Sequence, residues 1–478
     1  MVSRKGRSVN MPDKSLEKWM FSQVAVSIGA ITTGNDIIFS PPIKIDSREI
    51  SRGDIFWALQ GERTDGHAFI EEAMERGAKG LVINPESAGV SLKRVLREKV
   101  PAIFVEDTGA ALRDLSLRRL EMLDLENMIA ITGSVGKTTT REMVRSVAAR
   151  LGRVHCARRS FNTWIGCALT VLEAPLDTRT LILEMGTNHP GEIMEMASMF
   201  KPRYGIITEI GPGHLEGLKD EKGVLEAKME LAKAGSLQFL SYNFDNENLS
   251  RAVQDLSGDI IRIPVGRTSP LYRIEDDRFD LASDGPSLST VLETPSGKRN
   301  LKTRLFGKQN SYAIAFSIAA GDHLGVSEAD QNAALESFKP LPGRGGFHIS
   351  GNGVYFIDET YNANPLSMRQ ALVTLSEIKT EGKKWAVLGG MGELGDESDK
   401  LHRDMFAHFH LLDGVFLFGE PWSRAMPSGT PGNCRIFDDL SKLSDTLLTS
   451  LSRGDLVLFK GSRSFRMERA MKNLEDKG

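Results

Sequence analysis

Residues 128–144 read MIAITGSVGKTTTREMV. An apolar run meets a turn of glycine, serine, lysine and threonine, and a polar helical pattern follows. A strand that feeds a glycine turn which opens a helix is the context in which main-chain N–H groups cradle phosphate. The glycines, Gly133 and Gly136, let the backbone curl so that the amides of Ser134, Val135 and their neighbours face an anion. The helix N-terminus adds positive potential. Lys137 offers a compact charge to the β- and γ-phosphates, the Thr138 hydroxyl suits Mg²⁺, and Thr139 follows it. The longer glycine-lysine pattern wants a glycine where Ile131 stands, so the shorter Thr-Gly-Ser-x-Gly-Lys-Thr form is the one met.

The chain around this turn has 478 residues, which is long for one core and predicts two or three domains. With 40% hydrophobic and 26% charged residues and a net charge of −3, the composition is that of a globular protein without a basic footprint for nucleic acid. No apolar run approaches the roughly 20 residues of a membrane span. The basic start, MVSRKGRSVN, leads into no signal-peptide core and reads as a disordered tail, with Met11 as an alternative start. Cys156, Cys167 and Cys434 lack metal spacing and suit reduced thiols in a cytoplasm.

Three textures follow one another, giving expected domains at 1–122, 123–340 and 341–478. In the first, DIFWAL (54–59) and GLVI (80–83) read as strands, while 67–78 and 111–123 read as amphipathic helices. In the second, MIAIT, TLILEMG (180–186) and YGIITEIG (204–211) alternate with helices, the signature of a parallel sheet with helical cover. Residues 259–306 are rich in short β-like runs and suggest an antiparallel edge. NSYAIAFSIAAGDHLG (310–325) reads as a helix ending at glycine. Beyond LPGRGG (341–346), the runs VYFIDE, KWAVLGG, GVFLFG and DLVLFKG form a second doubly wound pattern. The fold class is therefore α/β: a small N-terminal α/β domain, a central P-loop sheet and a C-terminal Rossmann-like domain.

Further candidates lie where parallel strands end, at the ligand crevice of such sheets. Glu184 ends an apolar strand and by itself fits an ordinary surface carboxylate equally well; His214 follows another strand, in IGPGHLEG, and by itself reads more readily as a structural histidine. Lys228, in LEAKMELAK, reads alone as a solvated lysine on a helix.

Together these segments resemble the Mur ligases, the ATP-dependent amide-bond formers of peptidoglycan synthesis, and within them the type that adds a dipeptide. The resemblance runs over nearly the whole chain after residue 40. It rests on DSREISRGDIFWALQGERTDGHAFI (46–70), ITGSVGKTTT (131–140), LEMGTNHPGEI (183–193), ITEIGPGHLEG (207–217), EAKMEL (226–231), DETYNANPLSM (358–368), LGGMGELGDES (388–398) and KGSRSFRMER (460–469).

The resemblance implies a uridine diphosphate site in the first domain, at Ser47, Arg48, Gly61, Asp65, Gly66 and His67. It also implies ATP and Mg²⁺ in the central domain and an incoming dipeptide in the last. Glu184 and His214 match magnesium ligands. Lys228 matches a lysine that carries a carbamate, which would make it an anionic ligand beside the metal. Arg344 and Glu359 match nucleotide contacts, Asn310 adenine recognition, and Asn162, Thr163, Asn362 and Asn364 substrate contacts. The implied reaction joins D-alanyl-D-alanine to UDP-N-acetylmuramoyl-tripeptide through an acyl phosphate, in a cytoplasmic, monomeric enzyme that binds no nucleic acid. Five residues depart from the family pattern. Gln309 and Ala313 stand for a histidine and an asparagine, Glu359 for an aspartate, Thr163 for an asparagine and Gly390 for an acidic residue. A related ligase for a single amino acid, such as a folylpolyglutamate-type enzyme, and a P-loop nucleotide switch are the competing readings.

Overall fold

A computed structural model of the protein describes residues 18–61, 64–157, 161–282, 285–429 and 432–477. The tail expected over residues 1–10 lies outside them. The chain divides into two compact units, residues 1–128 with 152–183, and residues 129–151 with 184–478.

In the first unit, Ile55–Trp57 and Gly80–Ile83 are buried along their whole length and pair in parallel. Ala102–Phe104 extends this sheet in parallel, and Ile31–Thr33 closes its other edge antiparallel. The helix expected over 67–78 is shorter and begins as a tight turn. Asp65 accepts from the His67 backbone and ring, winding Gly66–Phe69 as a 3-10 turn before helix Ile70–Glu75. Gly77, at φ +93°, ends the run. The helix expected over 111–123 instead starts early, at Thr108, because Asp107 caps the N–H groups of Gly109 and Ala110. A helix at Pro85–Arg97, capped by Asn84 with proline at its first position, adds to the expected elements. The Trp57 indole donates to Thr108 O at 2.8 Å, pinning a sheet strand to the start of the last helix. Val154–Cys156 pairs in parallel with Thr180–Glu184, and helix Trp164–Glu173 joins them.

The second unit carries two sheets. In one, Asn127–Thr132, Tyr204–Ile207, Phe239–Asn243 and Ile261–Gly266 lie side by side in parallel. Tyr272–Ala282, Gly285–Thr294 and Gly297–Thr303 then continue the sheet as the expected antiparallel edge. Helix Lys137–Ala148 leaves the first of these strands and packs closely on helix Asn310–Leu324. A Cβ on Gly321 would stand 2.7 Å from Val147 Cγ1, so the small residue permits the crossing. Gly325 ends the second helix in the left-handed conformation, as its sequence predicts.

The other sheet has the order Gly346–Ile349, Tyr355–Glu359, Leu456–Lys460, Lys384–Gly389, Gly414–Phe418, Cys434–Phe437. All its pairs are parallel except the first. Apolar clusters cover both faces. Leu458 and Trp422 belong to one, Val457 and Phe459 to the other. Period-two alternation therefore sends every residue of this central strand into a core, which is why it reads as an unbroken apolar run.

Leu458 is fully buried in that strand. Leu458→Ala should lower stability by about 2–5 kcal/mol, the range for a leucine cavity, measured as the shift of the guanidinium unfolding midpoint.

Candidate phosphate-and-cation site

The phosphate loop is held in shape from outside. Gly133 adopts φ +143°, and a methyl group there would strike Thr208 Oγ1. The Thr208 hydroxyl itself donates to Val135 O at 2.6 Å. Ser134 donates from Oγ to Gly211 O at 2.8 Å, and its N–H donates to Glu209 O at 2.7 Å. The segment after strand Tyr204–Ile207 thus stitches the loop from end to end. Gly136, at φ +84°, turns the chain into helix Lys137–Ala148. The Lys137 ammonium curls back to donate to Gly133 O at 2.6 Å.

Beneath the loop lies a buried charge cluster. Thr138 Oγ1 donates to Glu184 Oε2 at 2.9 Å, and Arg141 donates to the same oxygen at 3.1 Å. Arg141 also bonds Glu142 at 2.8 Å, which in turn accepts from Arg145. Arg141 is 1% exposed and Glu184 2%. Thr138 and Arg141 are three residues apart on one helix and so reach the same side. Lys137 is pushed below its usual range, first by burial; the Arg344 charge lowers it further, while Glu184 and Glu393 oppose the shift.

Lys228, on helix Glu221–Lys233, is fully buried and its Nζ has no hydrogen-bond partner. Burial, then the charge of Lys137, lowers its pKa to about 7. The solvated lysine suggested by its local sequence is thus corrected: the helix turns this side chain inward. His214 follows strand Tyr204–Ile207 at φ +55°, with Nδ1 2.8 Å from Glu393 Oε2. Among the described residues no three His, Cys, Asp or Glu side chains form a metal cluster, so a cation here would need further ligands from phosphate or water.

The last sheet brings its own polar edge. Asp358 Oδ2 accepts from Gly343 N at 2.8 Å, and the Arg344 guanidinium stacks 4.0 Å from the Tyr361 ring centroid. Glu359 Oε2 accepts from the buried Lys460 ammonium at 3.0 Å. Thr139, Glu142, Leu305, Phe338, Leu341 and Arg344 line a shallow crevice. Near it, Asn310 donates to Phe306 O at 2.7 Å, Gln309 accepts from Thr374, and Ala313 is buried. Asn364 caps helix Pro365–Glu377 in a capping box with Ser367, and Asn362 accepts from the N–H of Ala363. At Gly390, a Cβ would stand 2.6 Å from Phe465 Cζ, so that ring fills the space an acidic side chain would need.

The expected uridine diphosphate residues lie in the first unit. Ser47 donates to Glu72 at 2.7 Å, and Arg48 bonds Asp46 with its side chain largely exposed. Gly61 N donates to Thr64 O, and Gly66 packs so tightly on Leu59 that a Cβ would come within 2.8 Å of its backbone. Both His67 ring nitrogens are engaged: Nδ1 with Asp65 at 2.6 Å, and Nε2 accepting from Asn84 N at 2.8 Å. His67 therefore shapes the loop, and of this group Arg48 offers the exposed cation. Thr163 caps helix Trp164–Glu173 by accepting from Gly166 N, and Asn162 precedes it half-buried.

Thr138 bonds Glu184 and Lys137 lies within the electrostatic reach of that carboxylate, with Lys228 and His214 in the same unit. Sequence reasoning missed Arg141, Lys460 and Glu393. For Arg141 the signal was its i+3 spacing from Thr138; for Glu393, the glycines on either side of its loop.

Residues 131–321 match the Mur ligase middle domain, 343–463 the Mur ligase glutamate ligase domain, and 42–119 the Mur ligase family catalytic domain. The UDP-N-acetylmuramoyl-tripeptide–D-alanyl-D-alanine ligase of Synechocystis sp. is 34% identical, with 88% of each chain covered. The ligase of the same name from Bacillus subtilis is 29% identical over 90% of this chain and 92% of its own. A crystal structure of MurF from Acinetobacter baumannii superimposes with a TM-score of 0.79 at 28% identity, covering 97% of this chain and all (100%) of that one. MurF from Thermotoga maritima in complex with ADP gives 0.76 at 27% identity, covering 91% and 97%.

Arg141→Met removes the buried cation shared by Glu142 and Glu184. Stability should fall by about 3–5 kcal/mol in chemical denaturation, and by less in Arg141→Lys, which keeps the charge.

Proposed function

The chain belongs to the Mur ligase family, and we propose that it joins D-alanyl-D-alanine to UDP-N-acetylmuramoyl-tripeptide at the expense of ATP in peptidoglycan precursor synthesis. The observation that carries this reading is the desolvated cluster of Lys137, Thr138, Glu184 and Arg141 under a glycine loop, in a chain that matches dipeptide-adding ligases over most of its length.

A peptide carboxylate is a poor electrophile until one of its oxygens is made a leaving group. Its oxygen attacks the γ-phosphorus of ATP, the bond to ADP breaks, and an acyl phosphate forms. The dipeptide amine then attacks the acyl carbon, loses its proton, and phosphate departs from the tetrahedral intermediate. The chain's contribution is position and charge. The loop amides and Lys137 gather the phosphate oxygens, and Lys137 exchanges its bond to Gly133 O for them. Arg141 holds the Glu184 carboxylate oriented toward Thr138. Arg344, stacked on Tyr361, suits the nucleotide, and the neighbouring Glu359 is held by Lys460.

Mg²⁺ fits this site. The Thr138 hydroxyl and Glu184 carboxylate are hard oxygen donors, and a cation bound there would neutralise charge on the transferring phosphoryl group. Lys228 fits it as a carbamate: its buried amine lacks a partner, and a pKa of about 7 leaves about half of it neutral at pH 7 and able to attack CO₂. The product, an anionic carbamate, would exchange a repelled ammonium for a ligand. We assign the uridine diphosphate end to residues 1–122, the ATP site to 123–340 and the dipeptide to 341–478. Nucleotide substrates of this kind support a cytoplasmic site of action.

Phosphate release should require both UDP-N-acetylmuramoyl-tripeptide and D-alanyl-D-alanine, with the pentapeptide product identified by mass. Release with nucleotide alone would instead indicate a switch, and preference for a single amino acid a different ligase. Lys137→Met should lower kcat by about 100- to 1000-fold. Lys228→Ala should lose activity and regain part of it with added short carboxylates; full activity without them would remove the carbamate from this account.

A further inference from the structure

Six non-glycine residues among those described have positive φ: Lys99, Lys201, His214, Lys219, Glu393 and Arg466. Three of them, Lys99, Lys201 and Arg466, sit at or just past the C-terminal end of a helix or 3-10 turn, where positive φ is ordinary, and Lys219, at φ +69° and ψ −61°, lies in a tight turn closed by Asp220 N donating to Leu218 O. His214 instead precedes the short helix Leu215–Leu218, at a position that normally prefers extended backbone, and Glu393 lies in a loop. Strained side chains of this kind persist where the surroundings over-determine them. These two face each other, with Nδ1 of His214 2.8 Å from Oε2 of Glu393.

The loop carrying Glu393 is anchored on both sides. Met391 N donates to Nε2 of the buried His402 at 2.9 Å, and Gly392 N donates to Ser462 Oγ at 2.6 Å. At its far end, a Cβ on Gly395 would lie 3.5 Å from Glu216 Cα, so the loop is seated against the segment that bears His214. Glu393 also lies within the electrostatic reach of Lys137.

The 2.8 Å contact is a close histidine–carboxylate pair, and no aligned N–H···O bond fixes it. An imidazole nitrogen and a carboxylate oxygen at this separation also have the spacing of neighbouring ligands on one octahedral ion. With metal–ligand distances of about 2.0–2.1 Å, that spacing is about 2.9 Å. We propose that Glu393 is a ligand of the cation that His214 holds, supplied by the C-terminal sheet, so that this cation is bound fully only while the 391–395 loop is seated on His214. The inference rests on the ligase reading and deepens it. Cation affinity and the seating of the part that brings the dipeptide become two views of one equilibrium.

The test is Mn²⁺ binding to the full chain with a non-hydrolysable ATP analogue, followed by the electron paramagnetic resonance of free Mn²⁺. Glu393→Gln keeps the size and backbone preference of the residue and removes its charge. It should weaken the more weakly bound Mn²⁺ about tenfold or more, as should His214→Ala, and the double variant should lose little beyond either single one. Glu393→Asp should recover part of the affinity. Mn²⁺ affinity in Glu393→Gln equal to that of the unaltered chain, or losses that multiply in the double variant, would overturn the proposal. Turnover is not read, so absence of ligase activity would count against the function and leave this result interpretable.

Discussion

The Glu184 carboxylate is removed from water and shared between the Thr138 hydroxyl and the Arg141 guanidinium. A carboxylate in that position is tolerable only with a cation and a hydrogen-bond donor in fixed places. Both come from one turn of one helix, so the start of that helix cannot shift without exposing a buried charge. The helix start is also the end of the phosphate loop. One constraint therefore sets the curl of the loop, the direction of its amides and the position of Lys137.

The rest of the loop is tied to the neighbouring strand rather than to itself. Thr208 occupies the space a side chain on Gly133 would need, and Ser134 is bonded to Gly211 through both its hydroxyl and that residue's N–H. The strand end that shapes the loop is followed by His214. Lys228 approaches from another helix with its amine desolvated, and the seated Glu393 loop reaches the site from the last sheet. Cations and carboxylates thus gather at the loop, and Glu184 and Lys228 among them are withdrawn from water, where charge developing on a phosphoryl group is stabilised most strongly.

Much of this was legible in the chain because it is written locally. The strand, glycine turn and helix over 128–144 have the spacing of their function, and Glu184 and His214 follow apolar runs that end at the ligand edge of a parallel sheet. Helix ends were less legible. Asp107 and Asp65 moved the expected boundaries because a side chain that takes backbone N–H groups outweighs the apolar period beside it. Lys228 looked solvated because its neighbours in sequence are charged; only packing shows that it faces inward. The Glu393–His214 contact joins two loops far apart in sequence, and no periodicity connects them. His67 shows the converse: its local motif reads as binding chemistry, while its ring is spent on holding its own loop.

The central claim is that the site makes a substrate carboxylate react with ATP. The most direct measurement is oxygen transfer. UDP-N-acetylmuramoyl-tripeptide labelled with ¹⁸O in the carboxylate that forms the new amide is turned over with ATP and D-alanyl-D-alanine, and the released phosphate is analysed by mass. An acyl phosphate delivers one labelled oxygen from the carboxylate to that phosphate. Phosphate carrying no substrate-derived label, formed while the pentapeptide accumulates, would contradict the account.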